Sequence, residues 1–178
     1  MKNITTPLTD EVVRSLKAGD EVSISGIVYT ARDAAHKRLC ELVGQKKQLP
    51  IPIEGQIFYF VGPTPARPGE IIGSAGPTTS ARMDSFSPIL LAAGLKGMIG
   101  KGYRCDAVRD ALKKYCAVHF AALGGAGALL SQYIISAQVV AYEDLGTEAI
   151  RKLEVKDFPA IVAYDSYGNS VFKKVDEE

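Results

Sequence analysis

The chain has 178 residues, the usual size of one domain, and its 21 Lys and Arg against 20 Asp and Glu give a net charge of +1. This balance argues against a strongly basic nucleic-acid-binding protein and against an acidic disordered chain. The three cysteines lie far apart without a C-x-x-C pair, so we expect no disulfide framework and no metal ligands in this chain.

The first half of the chain alternates helical and strand patterns. In chain order, apolar spacing and glycine stops predict a helix over 8–18, a strand over 21–29, a helix over 30–43 and a strand over 56–61. Thr30 and Asp33 fit a capping box at the start of the second helix. Residues 62–69 contain three prolines, which predicts an irregular loop.

The second half continues the alternation. A loop rich in glycine and hydroxyl residues at 73–80 leads into a helix between 82 and 93. Beyond it, in order, we predict a strand over 97–99, a helix over 106–115, a strand over 117–121, a helix near 147–153 and a hairpin with strands 161–164 and 170–175. The pattern predicts one mixed α/β domain over residues 1–178, with 1–7 and 176–178 frayed.

Residues 120–142 form a stretch of 23 residues without a charged side chain, which is long enough to cross a bilayer. Glycines and polar residues divide it, however, into a turn, a short apolar helix and a strand over 137–142, so we predict no membrane span. The N-terminus has no apolar signal segment, and this absence together with unpaired cysteines predicts a cytoplasmic protein.

Three cationic residues stand at predicted element ends. Arg32 falls in the first turn of a helix, where a guanidinium is unfavourable unless an anion binds beside it. Arg82 follows the hydroxyl-rich loop with Thr78 and Thr79, and Lys101 lies between two glycines in a segment that lacks the P-loop pattern. These residues fit a site for a small dianion, although each could also be an ordinary solvated side chain.

Five stretches resemble one enzyme family. They are TARDAAHKRL at 30–39, VGPTPARPG at 61–69, GSAGPTTSARMD at 73–84, GLKGMIGKG at 94–102 and AYEDLGTEAI at 141–150. They are similar to the β subunit of class I fumarate hydratase, which is equivalent to the C-terminal domain of the single-chain enzymes. The β subunit of L-tartrate dehydratase is similar as well, and the resemblance covers residues from about 8 to 175.

The resemblance implies the swivelling β/β/α fold, with three layers, a parallel central sheet and a smaller antiparallel sheet. It implies an oxygen-sensitive hydro-lyase whose [4Fe–4S] cluster is ligated by a partner α subunit and not by this chain. The reaction adds water to, or removes it from, a C=C bond flanked by carboxylates. A hetero-oligomer with the α subunit is implied, and a homodimer is open for the chain alone.

Site residues follow from the same resemblance. Arg32 and Arg82 are the implied ligands of the substrate carboxylates, with Lys101 adding positive charge and Thr79 a hydroxyl group. Thr78 matches the proposed catalytic base, and His36 is expected to face the cleft as a second candidate for proton transfer. The substrate stays open between fumarate, interconverted with malate, and L-tartrate. A non-catalytic anion-binding module that regulates or scaffolds a partner is an alternative of another class.

Overall fold

Short strands and helices alternate along the chain, as the spacing of its apolar residues predicts. The computed structural model describes residues 1–123 and 127–172. Its strands are β1 (Lys2–Thr5), β2 (Glu21–Thr30), β3 (Ile57–Tyr59), β4 (Gly97–Gly100), β5 (Val118–Ala122), β6 (Ile134–Ala141) and β7 (Ile150–Tyr164). Its helices are α1 (Asp10–Ser15), α2 (Asp33–Gly44), α3 (Ser87–Ala92), α4 (Asp106–Lys114) and α5 (Gly127–Leu130), with 3-10 turns at Ser80–Met83, Ser131–Tyr133 and Glu143–Glu148.

One long strand closes the parallel strands into a ring. Strands β1 to β5 pair in that order, and every pair is parallel. Strand β7 runs antiparallel to β5 on one edge and to β2 on the other, where Val22 lies opposite Ala160. The pairings from β2 through β3, β4, β5 and β7 therefore return to β2. Strand β6 is attached outside this ring by antiparallel pairing with β7.

The two faces of the parallel strands bury two apolar clusters. On β3, Ile57 and Tyr59 belong to one cluster and Phe58 to the other, because successive side chains point to opposite faces of a strand. The first cluster joins residues from every strand of the ring, and the second lies under helices α2, α3 and α4. Burial of each of these large aliphatic or aromatic side chains stabilises the folded state by about 1.5–3 kcal/mol. Because both faces are covered, the strand ends are the places where this architecture can form a site.

The predicted mixed α/β class is confirmed, but the arrangement of the sheets differs from the expectation. Parallel and antiparallel strands belong to a single seven-stranded sheet, whereas the resemblance implied a separate, smaller antiparallel sheet. The reason is the length of β7, which has 15 residues. Its first half pairs with β6 and its second half with β5, while β2 runs along the opposite edge.

Two local predictions are wrong. Residues 1–7 are not frayed as a whole, because Lys2–Thr5 pairs with β2 and Ile4 is buried. The helix predicted near 147–153 is a 3-10 turn followed by the first residues of β7. Buried Leu153 alternates there with exposed Lys152 and Glu154, which is the period of a half-buried strand.

The predicted hairpin is described in part. Tyr164 at the end of β7 forms an antiparallel bridge with Ser170, and Val171 N donates to Ala163 O at 3.0 Å. Residues 173–175 of its second strand, and the tail 176–178 that we expected to be frayed, lie outside the described residues.

The uncharged stretch 120–142 forms the end of β5, α5, a 3-10 turn and β6 in the parts that the structure describes. In residues 1–123 and 127–172, no helix is long and apolar enough to cross a membrane.

Candidate functional site

Arg32 lies where β2 ends and α2 begins. Its backbone is extended, with φ −115° and ψ −162°, and it occupies the N-cap position without a side-chain cap bond. The predicted capping box is therefore wrong. Thr30 still belongs to β2, where its hydroxyl donates to Ala149 O at 3.3 Å and accepts from Arg151 N at 2.9 Å. These bonds to the start of β7 extend the strand, so the helix begins later, at Asp33.

The side chain of Arg32 passes over Gly62, in the loop beyond β3. A Cβ atom at Gly62 would lie 3.0 Å from Arg32 Nη1 and 3.1 Å from Arg32 Cδ, so glycine is what leaves room for the guanidinium. The Nε atom of Arg32 is buried and has no hydrogen-bond partner within the described part of the chain. Buried N–H groups are normally paired, so this one is a donor that a bound acceptor could use.

Arg82 is brought to the start of α2 by an ion pair with Asp33. The two side chains are 50% and 34% exposed, and such a pair contributes little to stability. The ion pair does, however, fix where Arg82 lies, because it joins the 3-10 turn Ser80–Met83 to the residue next to Arg32. The second carboxylate oxygen of Asp33, Oδ1, is buried without a partner among the described residues.

Thr78, Thr79 and Lys101 lie together at the carboxyl ends of β3 and β4. Thr78 N donates to Phe60 O at 2.6 Å, one residue beyond β3. Thr79 forms a bridge with Lys101, which directly follows β4, and Ser80 N donates to Lys101 O at 2.8 Å. The hydroxyl-rich loop is therefore held beside the lysine by backbone bonds.

The predicted binding residues thus share one edge of the sheet. Arg32 follows β2, the Thr78 loop is bonded to the end of β3, and Lys101 follows β4, in the order in which these strands pair. Arg82 joins them through Asp33. The carboxyl ends of parallel strands are where ligands bind in both open and closed α/β sheets. Three cationic side chains stand there against the carboxylates of Asp33 and Glu148, the latter accepting from Ala34 N at 3.4 Å, so one positive charge is left over, which suits an anionic ligand.

This edge is open rather than enclosed. Thr79 and Lys101 are exposed. A cavity of about 570 Å³ lies apart from it, between the loop containing Thr64 and Glu70 and the segment containing Gln132, and none of the predicted site residues lines that cavity.

His36 does not face this edge, and that expectation is wrong. Its side chain is fully buried, and its ring centroid lies 5.2–6.0 Å from those of Phe58, Phe60 and Phe86. Nδ1 donates to Arg32 O at 2.8 Å, because a carbonyl oxygen can only accept. Burial lowers the pKa of His36 to about 4, against the opposing effect of that hydrogen bond. The ring is therefore neutral at pH 7 and supports the backbone of Arg32.

A buried arginine that the sequence analysis missed lies close to the same loop. The side chain of Arg104 has no exposed surface. Its Nε donates to Asp84 Oδ1 at 2.7 Å, its Nη1 to His119 Nδ1 at 3.2 Å, and its Nη2 to Ser87 Oγ. Nothing in the spacing of Arg104 distinguishes it from a surface arginine, so only the three-dimensional structure reveals this network.

His119 is buried and connects Arg104 to the loop. Arginine only donates, so His119 Nδ1 accepts and its Nε2 carries the hydrogen, which it donates to Ser80 Oγ at 3.3 Å. Burial, followed by the charge of Arg104, lowers the pKa of His119 well below its ordinary value. The imidazole is therefore a neutral link between a buried cation and the turn that carries Arg82.

The described residues offer no ligand set for an iron–sulfur cluster. Cys40, Cys105 and Cys116 are free, and in residues 1–123 and 127–172 no three His, Cys, Asp or Glu side chains form a group that could hold a metal ion. Burial also raises the pKa of Cys40 to about 11, which disfavours the thiolate that binds metals. A cluster therefore does not fit the side chains that this part of the chain provides.

Comparison with known proteins gives one family and two kinds of relative. The Fumarase C-terminus family model matches residues 2–175. Over 177 residues the chain is 38% identical to "Fumarate hydratase class I, anaerobic" of Escherichia coli (strain K12), covering 98% of this chain and 31% of that protein. It is 36% identical over 179 residues to "Putative fumarate hydratase class I" of Geobacillus stearothermophilus, covering 98% of this chain and 34% of that protein.

The second kind of relative has nearly the same length as this chain. Over 177 residues the chain is 36% identical to "Putative L(+)-tartrate dehydratase subunit beta" of Methanocaldococcus jannaschii, covering 96% of this chain and 91% of that protein. The chain thus spans about a third of the class I fumarate hydratases that it matches, and almost all of the tartrate dehydratase subunit.

Proposed function

The chain belongs to the Fumarase C-terminus family, and on this premise we propose that it is the β subunit of an iron–sulfur hydro-lyase. In this proposal it supplies the dicarboxylate-binding half of an active site for the reversible hydration of fumarate to malate. The family match and the class I fumarate hydratases among its relatives support the type of reaction. The observation that carries the proposal is the gathering of Arg32, Arg82 and Lys101 at the carboxyl ends of neighbouring parallel strands.

The substrate and these side chains are complementary in charge and shape. Fumarate is a planar dianion with a carboxylate at each end, and a guanidinium can bind a carboxylate through two parallel N–H groups. We propose that Arg32 and Arg82 each bind one carboxylate, that Lys101 adds charge and that Thr79 adds a hydroxyl donor. Each charge-assisted hydrogen bond contributes about 1.5–3 kcal/mol to binding. Two guanidinium groups, each binding one carboxylate through two N–H groups, therefore suffice to orient the substrate.

The proton-transfer group that we propose is Thr78. Its hydroxyl is a poor base in water, and the three neighbouring cations are what would stabilise its deprotonated form. His36 is assigned a different role, because it is fully buried among aromatic rings and bonded to the carbonyl of Arg32. We propose that His36 positions Arg32 and does not itself exchange a proton with the substrate.

The cluster of such a hydro-lyase is proposed to lie on a partner. The described residues do not provide ligands for it, and the relative whose length agrees with this chain is named a subunit beta, which implies an alpha partner. The class I fumarate hydratases extend over about three times the matched length, so the α subunit would correspond to the rest of those enzymes. When bound, the cluster would supply Lewis-acid chemistry to the reaction.

The test is to purify this chain anaerobically, alone and together with a co-expressed chain that matches the remaining two thirds of the fumarate hydratases. We expect the chain alone to contain no iron and to convert neither fumarate nor malate. We expect the mixture to contain iron and to interconvert the two. Hydration of fumarate by the chain alone would contradict the proposal of a shared site, and an iron-loaded but inactive mixture would contradict the hydro-lyase proposal.

A second substrate is favoured by one specific observation. The tartrate dehydratase relative is covered over 91% of its length, whereas the first fumarate hydratase is covered over 31%. L-tartrate is also a dicarboxylate of four carbons, so the same arginines would fit both ends of it. Initial rates of the reconstituted mixture with fumarate, malate and L-tartrate decide between the two substrates by the ratio of kcat/KM values.

A further inference from the structure

We propose that Arg104 is a positioning residue of the candidate site. Its buried guanidinium holds the turn that carries Arg82 in register with the segment that carries Lys101. The inference rests on the proposed function, because the register of these two cations matters for activity only if both bind the substrate. Arg104 itself is fully buried and touches no open surface of the site.

The guanidinium first fixes the carboxyl end of the turn. Asp84 directly follows the 3-10 turn Ser80–Met83, and its Oδ1 accepts from Arg104 Nε at 2.7 Å. The other oxygen, Oδ2, accepts from Cys105 N at 3.0 Å. Because Asp84 N also donates to Ala81 O at 3.2 Å, a shift of this carboxylate would move the turn.

The guanidinium also fixes the amino end of the turn, through His119. The neutral imidazole accepts from Arg104 and donates to Ser80 Oγ, the first side chain of the turn. The position of the turn is sterically constrained at this point, because the turn packs directly on β4. A Cβ atom at Gly100 would lie 2.9 Å from Phe60 Cδ2 and closer still to Ser80 Oγ.

The segment that carries Lys101 shares the same anchor. Lys101 lies three residues before Arg104, and Arg104 N donates to the hydroxyl of Tyr164, a buried residue at the end of β7, at 2.9 Å. The backbone of Ser80 is bonded to Lys101 O, so the turn and the segment are also joined directly. The buried residue Arg104 thus holds both the turn that carries Arg82 and the segment that carries Lys101.

Only arginine can make this set of contacts. Its Nε, Nη1 and Nη2 point in fixed directions within one plane and donate to Asp84, His119 and Ser87, which belong to different elements. The ammonium of lysine is a single point on a flexible stem and cannot bridge three separated acceptors. The variant Arg104→Lys therefore keeps the charge and removes the positioning.

The matched control is Arg109→Lys. Arg109 lies on α4, donates to Gly168 O at 2.7 Å and stacks over the ring of Tyr164 at 5.9 Å. It is a partly buried arginine, and among the described residues its side chain bonds to neither the Ser80–Met83 turn nor the Lys101 segment. Arg109→Lys keeps a cation beside Tyr164, and none of the hydrogen bonds of Arg104 involves Arg109, so the variant leaves the network of Arg104 in place.

The experiment compares wild type, Arg104→Lys and Arg109→Lys in the reconstituted two-chain enzyme. We expect Arg104→Lys to raise KM for the dicarboxylate and to lower kcat/KM at least about tenfold per folded molecule. We expect hydrogen exchange at the amides of Ser80 and Asp84 to become faster in the same variant. Arg109→Lys should leave KM and both exchange rates close to those of wild type.

A second variant keeps the proposal testable if Arg104→Lys does not fold. Ser80→Ala removes only the link to His119 and leaves the other bonds of Arg104 in place, so it should fold and still raise KM. Unchanged KM with unchanged exchange at the amide of residue 80 in Ser80→Ala, and unchanged KM with unchanged exchange at Asp84 in any folded Arg104→Lys, would overturn the positioning role. Absence of turnover in the wild-type mixture would instead overturn the proposed function, and the exchange rates of the chain alone would still report on the network.

Discussion

Acid should destabilise this protein in a pH range set by its two histidines. Both imidazoles are fully buried, and the pKa of His36 is about 4 in the folded chain against an ordinary 6.5. The pKa of His119 is also lowered well below its ordinary value, by burial first and then by the charge of Arg104. In the unfolded chain both side chains take up protons near pH 6.5.

The sign and size of the effect follow from proton uptake. Between pH 6.5 and 4 the unfolded chain binds more protons than the folded one, so the free energy of unfolding falls as pH falls. For His36 the gap between 6.5 and about 4 corresponds to about 3 kcal/mol, present above pH 6.5 and lost near pH 4. Each histidine contributes a slope of up to about 1.4 kcal/mol per pH unit, so the two together lower the free energy of unfolding by at most about 2.7 kcal/mol between pH 6 and 5.

Urea unfolding followed by circular dichroism at a series of pH values from about 7.5 to 5 measures this slope. The chain has two histidines, so no other side chain with an ordinary pKa titrates in that range. The ion-paired carboxyl groups of Asp20 and Asp144, whose pKa values are lowered, act below pH 4. His36→Gln should reduce the slope by about half. A free energy of unfolding that stays constant from pH 7 to 5 would refute the assignment of buried, neutral imidazoles.

Two further predictions concern packing and chemistry at the site. Gly100→Ala should destabilise the fold by about 1–3 kcal/mol, because its Cβ meets Ser80 and Phe60. The control Gly44→Ala, where no atom lies within 4 Å, should stabilise α2 by about 0.5–1 kcal/mol, and equal urea midpoints for the two variants would contradict the packing. Thr78→Val should lower kcat of the reconstituted enzyme about 100-fold or more, whereas the same change at Thr79 should act mainly on KM. Similar losses of kcat in both variants would remove Thr78 as the base.

The strand ends could be predicted from the sequence because they depend on local signals. Glycines, hydroxyl residues and cations follow short apolar runs, and parallel strands bring their carboxyl ends to one edge. Lys101 therefore directly follows its strand, as the pattern predicts, whereas Arg32 is the N-cap of α2 and does not lie in the first turn of that helix. The start of α2 could not be predicted in the same way, because Thr30 is bonded to a strand that begins about 120 residues later.

The long strand β7 and the buried network depend on contacts distant in sequence. The spacing of charged residues in the first half of β7 is also typical of a solvated helix. Pairing with β2 and β6, which are distant in sequence, is what makes the strand more stable than a helix there. Arg104 is similar, because its partners Asp84 and His119 lie 20 and 15 residues away. His36 is the converse case. Its helical spacing allowed a cleft-facing side chain, and three phenylalanine rings enclose it instead.

The central claim is that the guanidinium groups of Arg32 and Arg82 at the strand ends bind a dicarboxylate. The most direct test of this claim is to measure kcat/KM for Arg32→Lys and Arg82→Lys in the reconstituted enzyme. Each change keeps the charge and removes the second N–H group that a carboxylate needs. We expect each variant to lower kcat/KM at least about tenfold, or about 1.4 kcal/mol. The control Arg67→Lys, in the exposed loop beyond β3, should keep the wild-type value. Wild-type kcat/KM in both strand-end variants would contradict the claim.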